Sequence, residues 1–182
     1  MRIHYPAHRW RRHISLLLLA VAVSTLASGC DTASDGGGSG GGDPASSDDA
    51  RSVDRNTRAY LNKISTCQTA VGLVLLDARS GNADDFQLAD DATQARDICD
   101  SIRSQLLAMD TDHFDDEAAT GFYAVDRYKS GLNAILTYID DPAPTKIIEA
   151  RDKLQEGDLS ARQARRDING RRHVYGLSSY RP

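Results

Sequence analysis

Cys67 and Cys99 carry the most definite chemistry in this chain, because their spacing predicts that the two thiols meet. Each lies in a ladder of apolar residues that steps by threes and fours, the spacing that keeps one stripe of a helix facing a partner. The first ladder is Tyr60, Ile64, Cys67, Val71, Val74 and Ala78, and the second is Leu88, Ala92, Ala95, Cys99, Ile102, Leu106 and Met109. Residues 80–84 between them have a turn composition. When the ladders fold antiparallel about Ala83, Cys67 lies level with Cys99.

Residues 1–30 have the composition of an export signal. A basic start with four arginines and no acid precedes an apolar run at residues 14–26, which is shorter than the roughly 20 residues of a membrane span but suits a signal-peptide core. The run ends in Leu26-Ala27-Ser28-Gly29-Cys30, and these residues resemble the lipobox of a bacterial lipoprotein precursor. The resemblance implies cleavage before Cys30, diacylglycerol on the Cys30 thiol and an acylated new amino terminus. The alternatives are an ordinary secretory signal with an incidental cysteine, or an uncleaved membrane anchor.

Residues 30–50 are expected to form a flexible linker behind this signal. Residues 36–42 are six glycines and one serine, and the segment has no aromatic residue. Such a composition buries too little apolar surface to offset the entropy of ordering the chain. A coil of this length spans roughly 25 Å, which would hold a folded domain off a lipid surface. Asp31 resembles the inner-membrane retention signal of lipoproteins, a cue that has meaning only in a double-membraned cell.

Export also decides the expected state of Cys67 and Cys99. Outside the reducing cytosol, two thiols that lie level should oxidise, so the sequence predicts a disulfide between them. The alternative is a pair of buried, reduced cysteines that act as small apolar residues. A redox-active role is disfavoured because the chain has no Cys-x-x-Cys motif.

The charge of the chain after residue 29 is acidic. Removing four of the 22 Lys and Arg leaves 18 against 26 Asp and Glu, a net charge of −8. Nucleic-acid binding requires basic surface, so this charge argues against a nucleic-acid partner. Positive and negative charges are segregated along the chain. Acidic residues are concentrated in residues 84–117, and arginines are concentrated in residues 162–182.

The pattern of residues 51–170 predicts an all-α fold, a small antiparallel bundle stapled by the disulfide. A third ladder follows the first two, and no strand-like alternation persists. It comprises Ala118, Gly121, Val125, Tyr128, Leu132, Ile135 and Ile139, which we align with the second helix so that Gly121 meets Ile102 and Tyr128 meets Ala95. Residues 110–113 and Asp115 offer caps for its start. A fourth helix is predicted to break at Gly157, to restart with Asp158 as its cap, and to end at Gly170.

No set of residues predicts catalysis, a metal or another cofactor. His113 and His173 have no evident nucleophile partner, and there is no phosphate-binding glycine loop. Asp110, Asp112, Asp115 and Asp116 faintly resemble a calcium loop, but its glycine and glutamate positions are filled by the wrong residues. Three tyrosines at helical spacing are read as core or rim residues rather than as a ligand cage: Tyr60, Tyr128 and Tyr138.

Residues 171–182 form a basic, aromatic tail, either a disordered end or a docking peptide. We expect it to lie partly on the bundle through Ile168, Val174, Tyr175 and Leu177. Taken together, the sequence predicts a non-catalytic binding or interaction module, held by Cys30 on the extracytoplasmic side of a cell membrane, in the periplasm or at the cell surface. Its partner is expected to be a protein or an envelope polymer. The alternative function is a small-ligand or metal carrier that uses the bundle interior or the acidic turn, and an enzyme is the least favoured class.

Overall fold

Four α-helices make up the fold. The computed structural model describes residues 47–80 and 84–182, and these form α1 (Ser47–Ser80), α2 (Asp85–Leu107), α3 (Asp115–Asp140) and α4 (Pro144–Val174). No strand occurs in either described range. The prediction of an all-α antiparallel bundle is therefore confirmed. The signal, Cys30 and the linker up to residue 46 lie outside the described residues, whereas residues 47–50, predicted as linker, already belong to α1.

The ladders read from the sequence form the core of the bundle. Nearly all their members are buried, and Ala78, Met109 and Ile139 are partly buried at the edge. Because a fully buried aliphatic or aromatic side chain contributes about 1.5–3 kcal/mol, this apolar stripe accounts for the stability of helices whose outer faces are polar. The predicted register of α1 and α2 is confirmed by the bond between Cys67 and Cys99.

Two helix starts are stabilised in different ways. Asp84 caps α2, where its carboxylate accepts a 2.8 Å hydrogen bond from the amide of Gln87. The N-cap position of α3 is Phe114, which makes no side-chain cap bond, so the predicted polar cap is wrong. The Phe114 ring is instead buried edge-on against Tyr60, with centroids 5.6 Å apart. Burying a phenyl ring contributes more than the roughly 1 kcal/mol of an exposed cap.

The break predicted at Gly157 does not occur, since α4 runs continuously for 31 residues. A Cβ placed on Gly157 would lie 2.8 Å from Cδ1 of Tyr128, so the glycine lets the Tyr128 ring approach the backbone of α4. Gly170 also lies inside the helix rather than after its end. The true terminal glycine is Gly176, with a φ of 70°. The amides of Leu177 and Gly176 bond the carbonyls of Arg172 and His173, the Schellman pattern.

Large residues of the bundle meet small ones across α3 in contacts that the predicted pairs did not include. A Cβ on Gly121 would fall nearest to Ile64 and Tyr60 of α1, not to Ile102 of α2. The Tyr128 ring also lies against Gly157 of α4. The buried stripe of α3 is wide enough to face α1 and α4 as well as α2. Apolar residues spaced three and four apart show which side of a helix is buried, but they do not show which neighbouring helix each residue contacts.

Candidate functional site

The two thiols singled out by the sequence are joined. Cys67 and Cys99 form a disulfide with an S–S distance of 2.01 Å and a Cα–Cα distance of 4.9 Å, and both residues are wholly buried. The predicted bridge is therefore confirmed as a staple between α1 and α2. Its burial leaves no sulfur at the surface for exchange chemistry. Cys30, the predicted lipidation site, lies outside the described residues.

A buried charge that the sequence did not reveal lies at the opposite end of the chain. Arg172 is fully buried, and its guanidinium donates to Asp54 Oδ1 at 2.6 Å and to Thr57 Oγ1 at 2.7 Å. Its Nε donates to the carbonyl of Ser178 at 2.9 Å. These contacts join the last turn of α4 to the first turns of α1. No periodicity relates residues this far apart in sequence, so only the folded chain reveals the pair.

The two arginines that contact Asp54 change the pKa of its carboxyl group. Partial burial disfavours the charged carboxylate, but hydrogen bonds from Arg58 and Arg172 outweigh that effect and lower the pKa of Asp54 below its usual value. Arg58 donates from Nε to Asp54 Oδ1 at 2.8 Å. Asp54 is thus held ionised between two guanidinium groups, one buried and one at the surface.

The end of the chain, residues 175–182, lies back across α4 and α1; we call it the C-terminal strap. Its anchor is Tyr180, whose amide donates to Asn169 at 2.7 Å and whose hydroxyl donates to Asn62 at 2.9 Å. The guanidinium of Arg58 stacks 4.9 Å from the centre of the Tyr180 ring. The expected docking is observed, and in part through the expected residues, because Ile168 is buried and the hydroxyl of Tyr175 lies 3.3 Å from Nδ1 of His113. Val174 is 73% exposed, and the anchoring side chain is Tyr180.

The three tyrosines at helical spacing are buried members of the fold. Tyr60 donates its hydroxyl proton to the carbonyl of Ala118, and Tyr128 donates to Asp158 Oδ1 at 2.6 Å. Burial raises the pKa of Tyr60, and it raises that of Tyr128 further with help from the Asp158 charge. Burial likewise raises the pKa of Tyr138. All three phenol groups are therefore neutral at physiological pH.

Asp158, predicted as a helix cap, instead links three helices. It lies within α4, accepts a hydrogen bond from the hydroxyl of Tyr128 of α3, and accepts a 3.1 Å hydrogen bond from Gln68 of α1. The carboxylate therefore serves the packing of the bundle rather than the start of a helix.

The acidic turn between α2 and α3 is the place where the sequence located the alternative metal or ligand site. Asp110 accepts from Asn56 at 3.3 Å and from the amide of Asp112 at 3.2 Å, and Asp115 accepts from Thr111. His113 faces the strap, with its Nδ1 3.3 Å from the hydroxyl of Tyr175. Over residues 47–80 and 84–182, no three His, Cys, Asp or Glu side chains are grouped so that they could hold a metal ion.

Apolar side chains are exposed on the side of α1 that faces away from the core. Leu73 and Leu76 are 57% and 59% exposed, and residues 64–76 contain no charged residue. Near the start of α2, Phe86 is 88% exposed. In the part of the chain that the structure describes, no helix has the length and apolar character needed to cross a membrane.

No protein-family model, curated protein or solved structure matches this chain. A functional proposal therefore rests on the residues of the chain itself. Three features are available for it: the disulfide in the core, the buried contacts that hold the C-terminus, and the uncharged surface of α1.

Proposed function

We propose that this protein is a lipid-anchored module of the cell envelope that acts by binding a partner rather than by catalysis. The observation that carries the interaction role is the exposure of Leu73 and Leu76 on a helix face without charge. Exposed leucines on an uncharged surface have a low cost of desolvation and are typical of contact surfaces. The anchoring role is supported by the lipobox resemblance that ends at Cys30.

The disulfide supports an extracytoplasmic place for the module, and a second contact supports the position of its tether. Disulfides persist in oxidising compartments, and Cys67 and Cys99 are bridged in the core. The first turns of α1 and the last turn of α4 lie together through the contact of Asp54 with Arg172. A tether that enters at Ser47 would therefore approach the clamped end of the bundle and leave the rest of α1 accessible to partners.

The anchor is tested by replacing Cys30 with serine in the full chain and comparing it with a Thr32→Ala control outside the lipobox. We expect Cys30→Ser to lose incorporation of labelled fatty acid and to move from the membrane to the soluble fraction, whereas Thr32→Ala behaves as the parent chain does. Retention of Cys30→Ser in the membrane fraction with normal maturation would refute the anchor.

The alternative function, a small-ligand or metal carrier, makes a different prediction. Native mass spectrometry of the purified protein would then show a stoichiometric adduct that survives chelation and desalting. A chain whose mass equals that of the protein with its lipid favours the interaction module.

A further inference from the structure

The C-terminal strap is held on the bundle in the way that proteins hold a short peptide. The side-chain amide of Asn169 pairs with both backbone groups of Tyr180, because it donates to the carbonyl at 3.1 Å and accepts from the amide at 2.7 Å. Arg172 donates from Nε to the carbonyl of Ser178 at 2.9 Å. Nearly every residue type offers these backbone groups, so the contacts position an extended segment without selecting its sequence.

Selectivity comes from the side chain of Tyr180. The guanidinium carbons of Arg58 and Arg172 lie 4.9 Å and 5.8 Å from the centre of its ring, within the range of cation–π attraction. The hydroxyl donates to Asn62 at 2.9 Å. A phenylalanine would lack that hydrogen bond, and an aliphatic side chain would also lack the stacking. The residues that contact the segment therefore match tyrosine, and we call them the tyrosine site: Arg58, Asn62, Asn169 and Arg172.

The two arginines of the tyrosine site are held in place by groups outside the strap. Arg58 donates to Asp54 at 2.8 Å, and Arg172 donates to Asp54 at 2.6 Å and to Thr57 at 2.7 Å. None of these acceptors belongs to the strap, so the pairs do not require it. A site whose groups are ordered before the ligand arrives loses less freedom on binding, which favours affinity.

The strap itself contributes little to the core. None of residues 175–182 is fully buried, and Tyr180 is only partly buried where it packs against the core. Helix α4 ends at Val174, before the contacts of Ser178 and Tyr180 with the tyrosine site. Few buried apolar contacts are typical of segments that open locally at low cost. The strap can therefore leave the tyrosine site while the bundle stays folded.

We infer that the tyrosine site binds an extended, tyrosine-bearing segment of a partner protein, and that the strap occupies it in the free protein as an internal competitor. When the strap leaves, the buried Nε of Arg172 loses its acceptor, so the open site favours a segment that returns a carbonyl. A strap on the same chain acts at an effective concentration of about a millimolar, so a partner displaces it only at high local concentration or with further contacts. The site uses neither Leu73 nor Leu76 and needs no lipid, so its failure and failure of the proposed anchor are separate results.

Peptide binding to chains with an occupied and an open site tests the inference. The probe is a fluorescein-labelled peptide of residues 175–182, and its anisotropy is measured with the parent chain, with Tyr180→Ala and with a chain that ends at Gly176. We expect the chain that ends at Gly176 to bind about tenfold more tightly than the parent, or better, and Tyr180→Ala to fall between them. Equal binding by all three chains, or no binding by the altered chains, would overturn the inference. Loss of helical dichroism in both altered chains would also overturn it, since the strap would then be an essential part of the fold.

Matched variants show whether the peptide occupies the site as the strap does. In the chains with an open site, Asn169→Ala removes both backbone hydrogen bonds and should weaken binding about tenfold, whereas Gln155→Ala, at an exposed position of the same helix, should leave it unchanged. In the peptide, Tyr180→Ala should abolish binding and Ser178→Ala should not, because the site takes only the carbonyl of Ser178. Equal effects of the two changes in either pair would overturn the inference.

Discussion

Arg172 donates from Nη2 to Asp54 Oδ1 at 2.6 Å, across a sequence separation of 118 residues. Arg172 is wholly buried, whereas the Asp54 side chain is 31% exposed. Water can solvate the Asp54 carboxylate but not the Arg172 guanidinium, so Arg172 needs the opposite charge of its partner more than Asp54 does. The buried guanidinium also has Thr57 and the carbonyl of Ser178 as acceptors, so its hydrogen-bonding capacity is largely satisfied inside the protein.

Removal of this buried cation should destabilise the fold. Arg172→Ala leaves a cavity, and it removes one of the two arginine donors to Asp54 and the arginine donor to Thr57, so we expect a loss of about 2–4 kcal/mol in the free energy of unfolding. The measurement is urea unfolding followed by helical dichroism. Arg166→Ala, at an exposed position of the same helix, is the control and should change stability by less than about 0.5 kcal/mol. Similar values for both variants would contradict a role for the buried pair.

The lowered pKa of Asp54 predicts a pH dependence with a definite sign. A carboxyl whose pKa is lower in the folded state contributes stability above its unfolded pKa, near 4, and loses it as the pH falls through the folded value. Asp54→Asn should therefore narrow the difference in unfolding free energy between pH 6 and pH 3. Asp48→Asn, which removes an exposed carboxylate from the same helix, serves as the control. An identical pH profile for Asp54→Asn and the parent chain would contradict the assignment.

Two glycines of α4 should respond to alanine with opposite signs. Gly157→Ala places a methyl group against the Tyr128 ring and should cost about 1–3 kcal/mol despite the better helix propensity of alanine. Gly170→Ala enters open space in the same helix and should stabilise it by about 0.5–1 kcal/mol. Thermal unfolding of the two variants provides the comparison. Destabilisation of equal size at both positions would mean that the contact with Tyr128 is not the reason for Gly157.

Loss of the disulfide should weaken the bundle without changing its fold. Closing the loop between Cys67 and Cys99 stabilises by about 3–4 kcal/mol on the chain-entropy model. The double replacement by alanine, or reduction of the parent chain, should lower the free energy of unfolding by up to this amount. Intact mass after alkylation, with and without a reductant, establishes the bond itself. Labelling of both thiols in unfolded, unreduced protein would contradict it.

The C-terminal strap should protect the amide of Tyr180 from exchange, because it donates to Asn169. Tyr180→Ala should speed exchange at Leu177 and in the last turn of α4. Tyr123→Ala, at another partly exposed tyrosine stacked on an arginine, should leave exchange in the strap unaffected. Hydrogen exchange by mass spectrometry distinguishes the two. Rapid exchange at Tyr180 in the parent protein would mean that the strap is free in solution.

The sequence predicted the bundle and the disulfide because both follow from local spacing. Cys67 and Cys99 lie in two apolar ladders that are separated by a turn. Antiparallel packing of the two helices about that turn brings the two cysteines to the same level. Gly157 was misread because its role depends on Tyr128, which faces it from another helix. The propensity of glycine favoured a break, and packing against an aromatic ring overrode that preference. A tertiary contact thus overrides the local preference at Gly157, as the contact with Tyr60 does for Phe114 at the start of α3.

The contact between Arg172 and Asp54 could not be predicted from the spacing of apolar residues. Arg172 looked like one arginine among several in a basic segment, and Asp54 looked like one acid among many on α1. Periodicity places Arg172 on the inner side of α4 only if the helix is known to continue past Gly170. The sequence predicted that the tail would dock through Ile168, Val174, Tyr175 and Leu177. Ile168 is buried and Tyr175 contacts His113, whereas Val174 is exposed and the anchoring Tyr180 was not predicted.

The position of the C-terminal strap has a consequence for the order in which the protein assembles. Asp54 and Thr57 emerge from synthesis or export more than a hundred residues before Arg172, which donates to both, and Asn62 emerges as far ahead of Tyr180. The hairpin of α1 and α2 has its cysteines only 32 residues apart and can close early, since short loops form before long-range contacts. The contacts of Asp54 and Thr57 with Arg172, and of Asn62 with Tyr180, form only once the end of the chain is present. We therefore expect the middle of α1 to fold before its first turns are closed.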